Sequence, residues 1–180
     1  MKYSKVKFLT FFAIICSVGL APINDASAAE NTVTATITVG TAPEGIAFDS
    51  ANNRMYVTNN TDDTVSVIDT SDYSVIDANG VDAGTAIDVG TGPYGIAFDS
   101  ANNRMYVTNY IDSTVSVIDT TTNAVTGPLT VGTGPADIAF DSANNRMYVT
   151  NYIDGTVSVI DTATNAVTGP LTVGTGPADI

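Results

Sequence analysis

The chain has 180 residues, with 19 acidic side chains against 6 basic ones, no histidine, no tryptophan and one cysteine, for a formal net charge of −13. This balance excludes nucleic acid as a partner, because no basic stripe is present to displace counterions from phosphates. Without histidine, and with its only cysteine at Cys16, the chain also lacks the residues for Ser-His-Asp or Cys-His nucleophile systems and for histidine metal ligation.

Residues 1–29 read as a secretory signal peptide: Lys2, Lys5 and Lys7 open it, an apolar run follows over 8–20, and small residues close it at Ala26-Ser27-Ala28-Ala29. The run is shorter than the roughly 20 residues needed to cross a bilayer, so cleavage after Ala28 or Ala29 is expected, leaving a mature chain with no membrane span. Ile15 stands before Cys16 where lipidation would want a small residue. Cleavage removes all three lysines but only Asp25 among the acids, so the mature chain is more acidic still and carries Arg54, Arg104 and Arg146 as its cations. It holds no cysteine, so packing and sheet hydrogen bonds must stabilise it without disulfides. The expected location is secreted, cell-surface or periplasmic.

From residue 39 the sequence repeats itself. The block Phe-Asp-Ser-Ala-Asn-Asn-Arg-Met-Tyr-Val-Thr-Asn begins at Phe48, Phe98 and Phe140, and Pro43, Pro93, Pro135 and Pro177 mark the same point of each unit. The interval from Pro43 to Pro93 is longer than the two equal ones after it, and the excess between Tyr73 and Ile87 reads as a loop insertion. Within 89–130, strands are expected at 96–98, 104–109, 114–119 and 124–131, rich in β-branched residues and separated by turns of Asp, Asn, Ser and Gly. Pro128 cannot donate to a ladder, which places the fourth strand at an edge. Such units of about 40 residues, each a four-stranded antiparallel meander, are the pattern of a β-propeller. The expected fold is therefore all-β, with blades at about 39–88, 89–130 and 131–172 and a stub at 173–180. The segment 32–39 resembles the fourth strand of a further blade.

Tyr56-Val57-Thr58-Asn59, Tyr106-Val107-Thr108-Asn109 and Tyr148-Val149-Thr150-Asn151, each preceded by Gly-x-x-Pro and followed by Thr-Val-Ser-Val-Ile-Asp-Thr, resemble the YVTN family of β-propeller repeats over residues 39–180. The resemblance implies an archaeal or bacterial cell-surface or periplasmic propeller, often seven-bladed and related in shape to lactonase-like and quinoprotein-like propellers. Three blades and a stub fall short of the four to eight of a closed ring. The leading expectation is an incomplete ring belonging to a longer, seven-bladed protein; the other is a complete short chain that associates with copies of itself.

Carboxylates are the abundant titratable groups, but Asp49, Asp99 and Asp141, like Asp69, Asp119 and Asp161, recur in every unit, as turn caps do. Arg54, Arg104 and Arg146 recur likewise and are expected to pair with aspartates of their own or the adjacent blade. Asn60, Asp62 and Asp63, and separately Asp72, Asp77 and Asp82, offer oxygen ligands without the spacing of a calcium loop; no cofactor is expected, a structural calcium being the one alternative. Asn59-Asn60-Thr61 is a glycosylation sequon.

Units 89–130 and 131–172 differ at Tyr94/Ala136, Gly95/Asp137, Ser113/Gly155 and Thr121/Ala163. The first three fall on loops at one end of the meander, and loops on a rigid scaffold carry recognition. Glu44, Tyr94, Tyr110, Asp112, Tyr152 and Asp154 on that face are the candidate binding residues, with no catalytic or metal-ligating residue among them. The expected function is an exported, non-catalytic scaffold for protein or glycan binding or envelope structure at the cell surface. The alternative is part of a lactonase-like or other metal-dependent propeller enzyme.

Overall fold

The computed structural model describes residues 33–76 and 85–180. The signal segment, with its lysines and Cys16, lies outside the described residues, as do Asp77 and Asp82 of the inserted loop. Residues 33–39, expected to form an outer strand, take no regular secondary structure. Residues 37–180 make up one compact unit, and no helix among the described residues is long and apolar enough to cross a membrane.

Three antiparallel sheets follow in chain order. The first joins β1 (Pro43–Asp49), β2 (Arg54–Asn59), β3 (Thr64–Asp69) and two short pieces, β4 (Val75–Ile76) and β5 (Ile87–Asp88), which both pair with β3. The inserted loop thus divides the outer strand without altering the meander. The second sheet is β6 (Pro93–Asp99), β7 (Arg104–Asn109), β8 (Thr114–Asp119) and β9 (Val125–Thr130); the third is β10 (Pro135–Asp141), β11 (Arg146–Asn151), β12 (Thr156–Asp161) and β13 (Ala166–Thr172). These are propeller blades. As Pro128 requires, β9 is an edge strand paired with β8 alone, with a register shift between Val115 and Val117 opposite Gly127-Pro128.

Both faces of the three inner strands of the central blade, β6 to β8, are largely buried, which explains why they read as near-continuous apolar runs, whereas β9 is mostly exposed. Met105 and Val107 of β7 pack with Tyr56, Val65 and Val67 of the first blade, while the alternate residue Tyr106 packs with Met147, Val149 and Ile160 of the third. The two-residue period of the strand therefore sends one set of side chains into each interface.

The first strand of each blade begins earlier than its apolar triplet because it contains a bulge. Pro93 pairs with Asn109 but Ile96 with Val107, leaving one extra residue on β6 around Tyr94-Gly95. The same shift recurs at Glu44-Gly45 and at Ala136-Asp137. The Thr of the repeated Tyr-Val-Thr-Asn serves this bulge. Thr108 Oγ1 accepts from Gly95 N at 2.8 Å and donates to Ala136 O of the third blade at 2.8 Å; Thr58 does the same with Gly45 N and Tyr94 O. One hydroxyl thus satisfies the amide freed by its own bulge and locks the next blade's bulge against it.

Candidate functional site

The two ends of the blades are built differently. At one end, Asp49, Asp99 and Asp141 each accept backbone N–H groups two and three residues on, and Asn53, Asn103 and Asn145 adopt positive φ of 52–53°, as the turn chemistry predicts. Those carboxylates also accept from Asn52, Asn102 and Asn144 Nδ2 at 2.7 Å. The arginines, although directly opposite aspartates in the ladder, close no ion pair among the described residues: the neighbouring carboxylates face back into their own turns, and Arg104 Nη1 donates instead to Thr162 O of the third blade at 3.3 Å. At Arg104 the expected Arg–Asp pairing is therefore replaced by a bond to a backbone carbonyl.

Tyr56 and Tyr106 reach across the interfaces toward this end. Their hydroxyls donate to Asn123 and Asn165 Oδ1 at 2.9 and 2.7 Å. Burial pushes the Tyr56 phenol up to about 12 and raises Tyr106 in the same direction, the nearby arginines opposing the shift in each case. The turn aspartates, half-buried at the strand ends, move the other way. The Asn144 amide and the Thr164 hydroxyl are the largest influences holding Asp141 and Asp161 below the usual carboxylate value, as the Ser71 hydroxyl does for Asp69; at Asp119, desolvation is outweighed by N–H groups of Thr121 and Thr122.

The other end carries the candidate binding residues. Tyr110 N donates to Gly92 O at 2.9 Å, and Thr91 N donates to Asp112 Oδ2 at 2.7 Å, so the turn after β7 is tied to the loop leading into β6. In the third blade Tyr152 N and Asp154 Oδ2 repeat these bonds with Gly134 O and Thr133 N. Tyr94, Tyr110 and Tyr152 come together around a cavity of about 270 Å³, completed by Ala136, Ala178 and Asp179. The Tyr94 and Tyr110 rings are tilted by 44° with centroids 6.3 Å apart, a favourable spacing for aromatic contact. Asp112 lines a separate cavity of about 410 Å³ with Asp88, Thr114 and Ser116. Glu44, the counterpart of Tyr94 in the first blade, is exposed and lies outside both.

The differences between the second and third units now separate by role. Tyr94 against Ala136 concerns the cavity directly, since the small Ala136 forms part of its wall where a second tyrosine would stand. Gly95 is a packing requirement: a Cβ there would lie 2.5 Å from Ala136 O, and one at Gly45 would lie 2.5 Å from Tyr94 O. Asp137, at the same position, instead accepts from Ile180 N at 3.1 Å. Ser113 and Gly155 share a left-handed turn conformation, φ +59° and +66°.

Several other expectations acquire structural partners. Asp62 Oδ2 accepts from Thr41 N at 2.6 Å, Asp63 Oδ1 from Gly92 N at 2.9 Å, and Asn60 Nδ2 donates to Pro93 O at 3.2 Å, so this oxygen cluster fastens loops. No group of three acidic side chains suited to a metal ion occurs among the described residues. The sequon is overturned as a modification site. Asn59 is fully buried and its Nδ2, the atom a glycan would occupy, donates to Thr64 and Ser66 hydroxyls at 3.0 and 2.9 Å. Residues missed from sequence are Ala178 and Asp179 in the cavity, and the Thr and Tyr hydroxyls between blades; Ala136 is marked there only as a difference between units. A polar residue recurring in the midst of an apolar strand was the available signal for the hydroxyls.

No protein-family model matches the sequence, and no curated protein does. Among solved structures, the chain is similar to hydrazine synthase of Kuenenia stuttgartiensis, a propeller-containing protein, with a TM-score of 0.68 and 20% identity. The fold is a β-propeller's. The match covers 82% of this chain and 41% of that one, so this chain spans less than half the length of the structure it resembles, and the likeness concerns fold alone.

Proposed function

We propose that this chain is an exported, non-catalytic propeller scaffold of the YVTN type that binds a protein or glycan at the cell surface through the end carrying Tyr94, Tyr110 and Tyr152. The carrying observation is that a tyrosine-lined cavity of about 270 Å³ lies at a place where nearly identical blades differ. A bulge lifts Tyr94 out of the ladder, and turns do so for Tyr110 and Tyr152, so among the described residues none of the three rings is tied to an interface hydroxyl bond. Pockets with aromatic walls and a few polar groups are ordinary binding sites. The absence of histidine from the sequence supports binding over hydrolysis, because the usual imidazole base is lacking.

The test is binding to an array of peptides and oligosaccharides by the 180-residue chain and by a Tyr94→Ala/Tyr152→Ala variant. Retention of a ligand by the parent and its loss from an equally stable variant is the expected result. A parent that holds no ligand, or metal-dependent lactone hydrolysis, would reverse the assignment.

A further inference from the structure

Resting on that binding face, we propose that the tyrosine cavity takes a cationic side chain, the ammonium or guanidinium group of a basic polypeptide. Its walls are the rings of Tyr94, Tyr110 and Tyr152, with the small Ala136 and Ala178 leaving about 270 Å³ between them. A cation over a tyrosine face within about 6 Å of the ring centre is attracted by the ring quadrupole. The faces of the rings alone would accept the C–H groups of a sugar equally well, so the charge of the surroundings decides.

That charge has one sign. Arg54, Arg104 and Arg146 stand at the starts of β2, β7 and β11, while the tyrosine turns follow the ends of β7 and β11. Every described cation is therefore at the opposite end of its blade. Around the cavity the formal charges are negative: Asp179 lines it, Asp137 adjoins Ala136, and Asp112 and Asp154 share turns with Tyr110 and Tyr152. Asp112 and Asp154 engage a backbone N–H through Oδ2 yet remain exposed. Aromatic walls within a wholly negative surround complement a positive side chain, and a polypeptide presenting several such groups would also meet the acidic blade edges. A neutral sugar would leave this complementarity unused.

Fluorescence anisotropy of a labelled hexalysine peptide tests the proposal, with its fully acetylated form and cellohexaose as neutral probes. The proteins are the 180-residue chain, Tyr94→Ala/Tyr152→Ala, and Thr121→Ala as a control whose change already stands at Ala163; matching thermal midpoints establish that all are folded. Hexalysine is expected to bind, with affinity falling as salt rises, and the tyrosine variant to lose about tenfold in affinity relative to the control. The acetylated peptide should not bind. Hexalysine held equally by the parent and the tyrosine variant would overturn the proposal, as a merely acidic surface would do this. Cellohexaose bound through the tyrosines, with hexalysine unbound, would overturn the cationic ligand but keep the binding face. Failure of the parent to hold any probe would count against both.

Discussion

Tyr56 and Tyr106 have no exposed surface and donate their hydroxyls to asparagines of the neighbouring blade, whereas Tyr94 and Tyr152 are 41% and 45% exposed and line a cavity at the opposite end. The ring is the same in both sets; the backbone beneath it differs. Tyr56 and Tyr106 occupy regular ladder positions, where the period of two drives every second side chain into an interface. Tyr94 lies in a bulge and Tyr152 at the head of a turn, outside that alternation. In these blades, then, the regular ladder positions of Tyr56 and Tyr106 join neighbouring blades, and the irregular positions of Tyr94 and Tyr152 leave their side chains exposed.

The sharpest way to break this comparison is to remove a ring from each set. Tyr106→Ala leaves a void between the second and third blades and deprives Asn165 of its donor, so a loss of about 3–5 kcal/mol is expected, as for other large-to-small aromatic changes in cores. Because stability in such an array depends on nearest-neighbour interfaces, the loss should appear as a lower urea midpoint, or as uncoupling of the third blade into a separate transition. A midpoint unchanged from the parent would mean that Tyr106 does not join the blades.

The second-largest effect should come from the hydroxyl beside the bulge. Thr108→Val keeps the shape but leaves Gly95 N and Ala136 O without their partner, which costs about 1–3 kcal/mol for buried groups. Thr108→Ser should recover much of that. If valine and serine variants unfold at the same urea concentration, the bond between the bulges contributes nothing and the packing of Gly95 alone sets the interface.

These two sites also show what could be read from sequence. The strand Arg104–Asn109 was legible to its ends, because β-branched and aromatic residues were bounded by Asn and Asp turns. Asp99 and Asn103 likewise carry their turn chemistry on their faces, since it is local. The bulge at Tyr94-Gly95 was not legible: it depends on Thr108, thirteen residues on, and on the carbonyl of another blade. The arginine was misread for a related reason. Ladder register puts Arg104 opposite Asp99 and Asp119, but the oxygens of Asp99 are held by Ala101 and Asn102, and this competition between turn and ladder for one carboxylate is settled by three-dimensional geometry that residue order does not carry. Of the six candidate residues, the three tyrosines converge on one cavity, Asp112 and Asp154 fasten loops, and Glu44 stands apart in the first blade.

A smaller difference between the tyrosine sets should appear in alkaline solution. The Tyr56 phenol is pushed up to about 12 in the folded chain, against about 10 unfolded. A raised folded value means that the stabilisation is fully present below pH ~10 and lost as the pH climbs from there toward 12. Urea midpoints of the parent should therefore fall between pH 9 and 11 by more than those of Tyr56→Phe/Tyr106→Phe, although the double variant starts lower. Equal falls in the two proteins would assign the alkaline sensitivity elsewhere.

The smallest effect on stability is expected where the effect on binding is largest. Tyr94 touches Tyr110 at a centroid distance of 6.3 Å but offers no hydrogen bond through its hydroxyl among the described contacts, and its backbone carbonyl, which accepts from Thr58, persists in any substitution. Tyr94→Ala reproduces the residue already present at Ala136, on a backbone with the same bulge. Its urea midpoint should then correspond to a change within about 0.5 kcal/mol, the range of exposed substitutions. A loss approaching that of Tyr106→Ala would show Tyr94 to be an interface residue in disguise, and the separation between tyrosines that join blades and tyrosines that line the cavity would fail at the member that stands on the bulge.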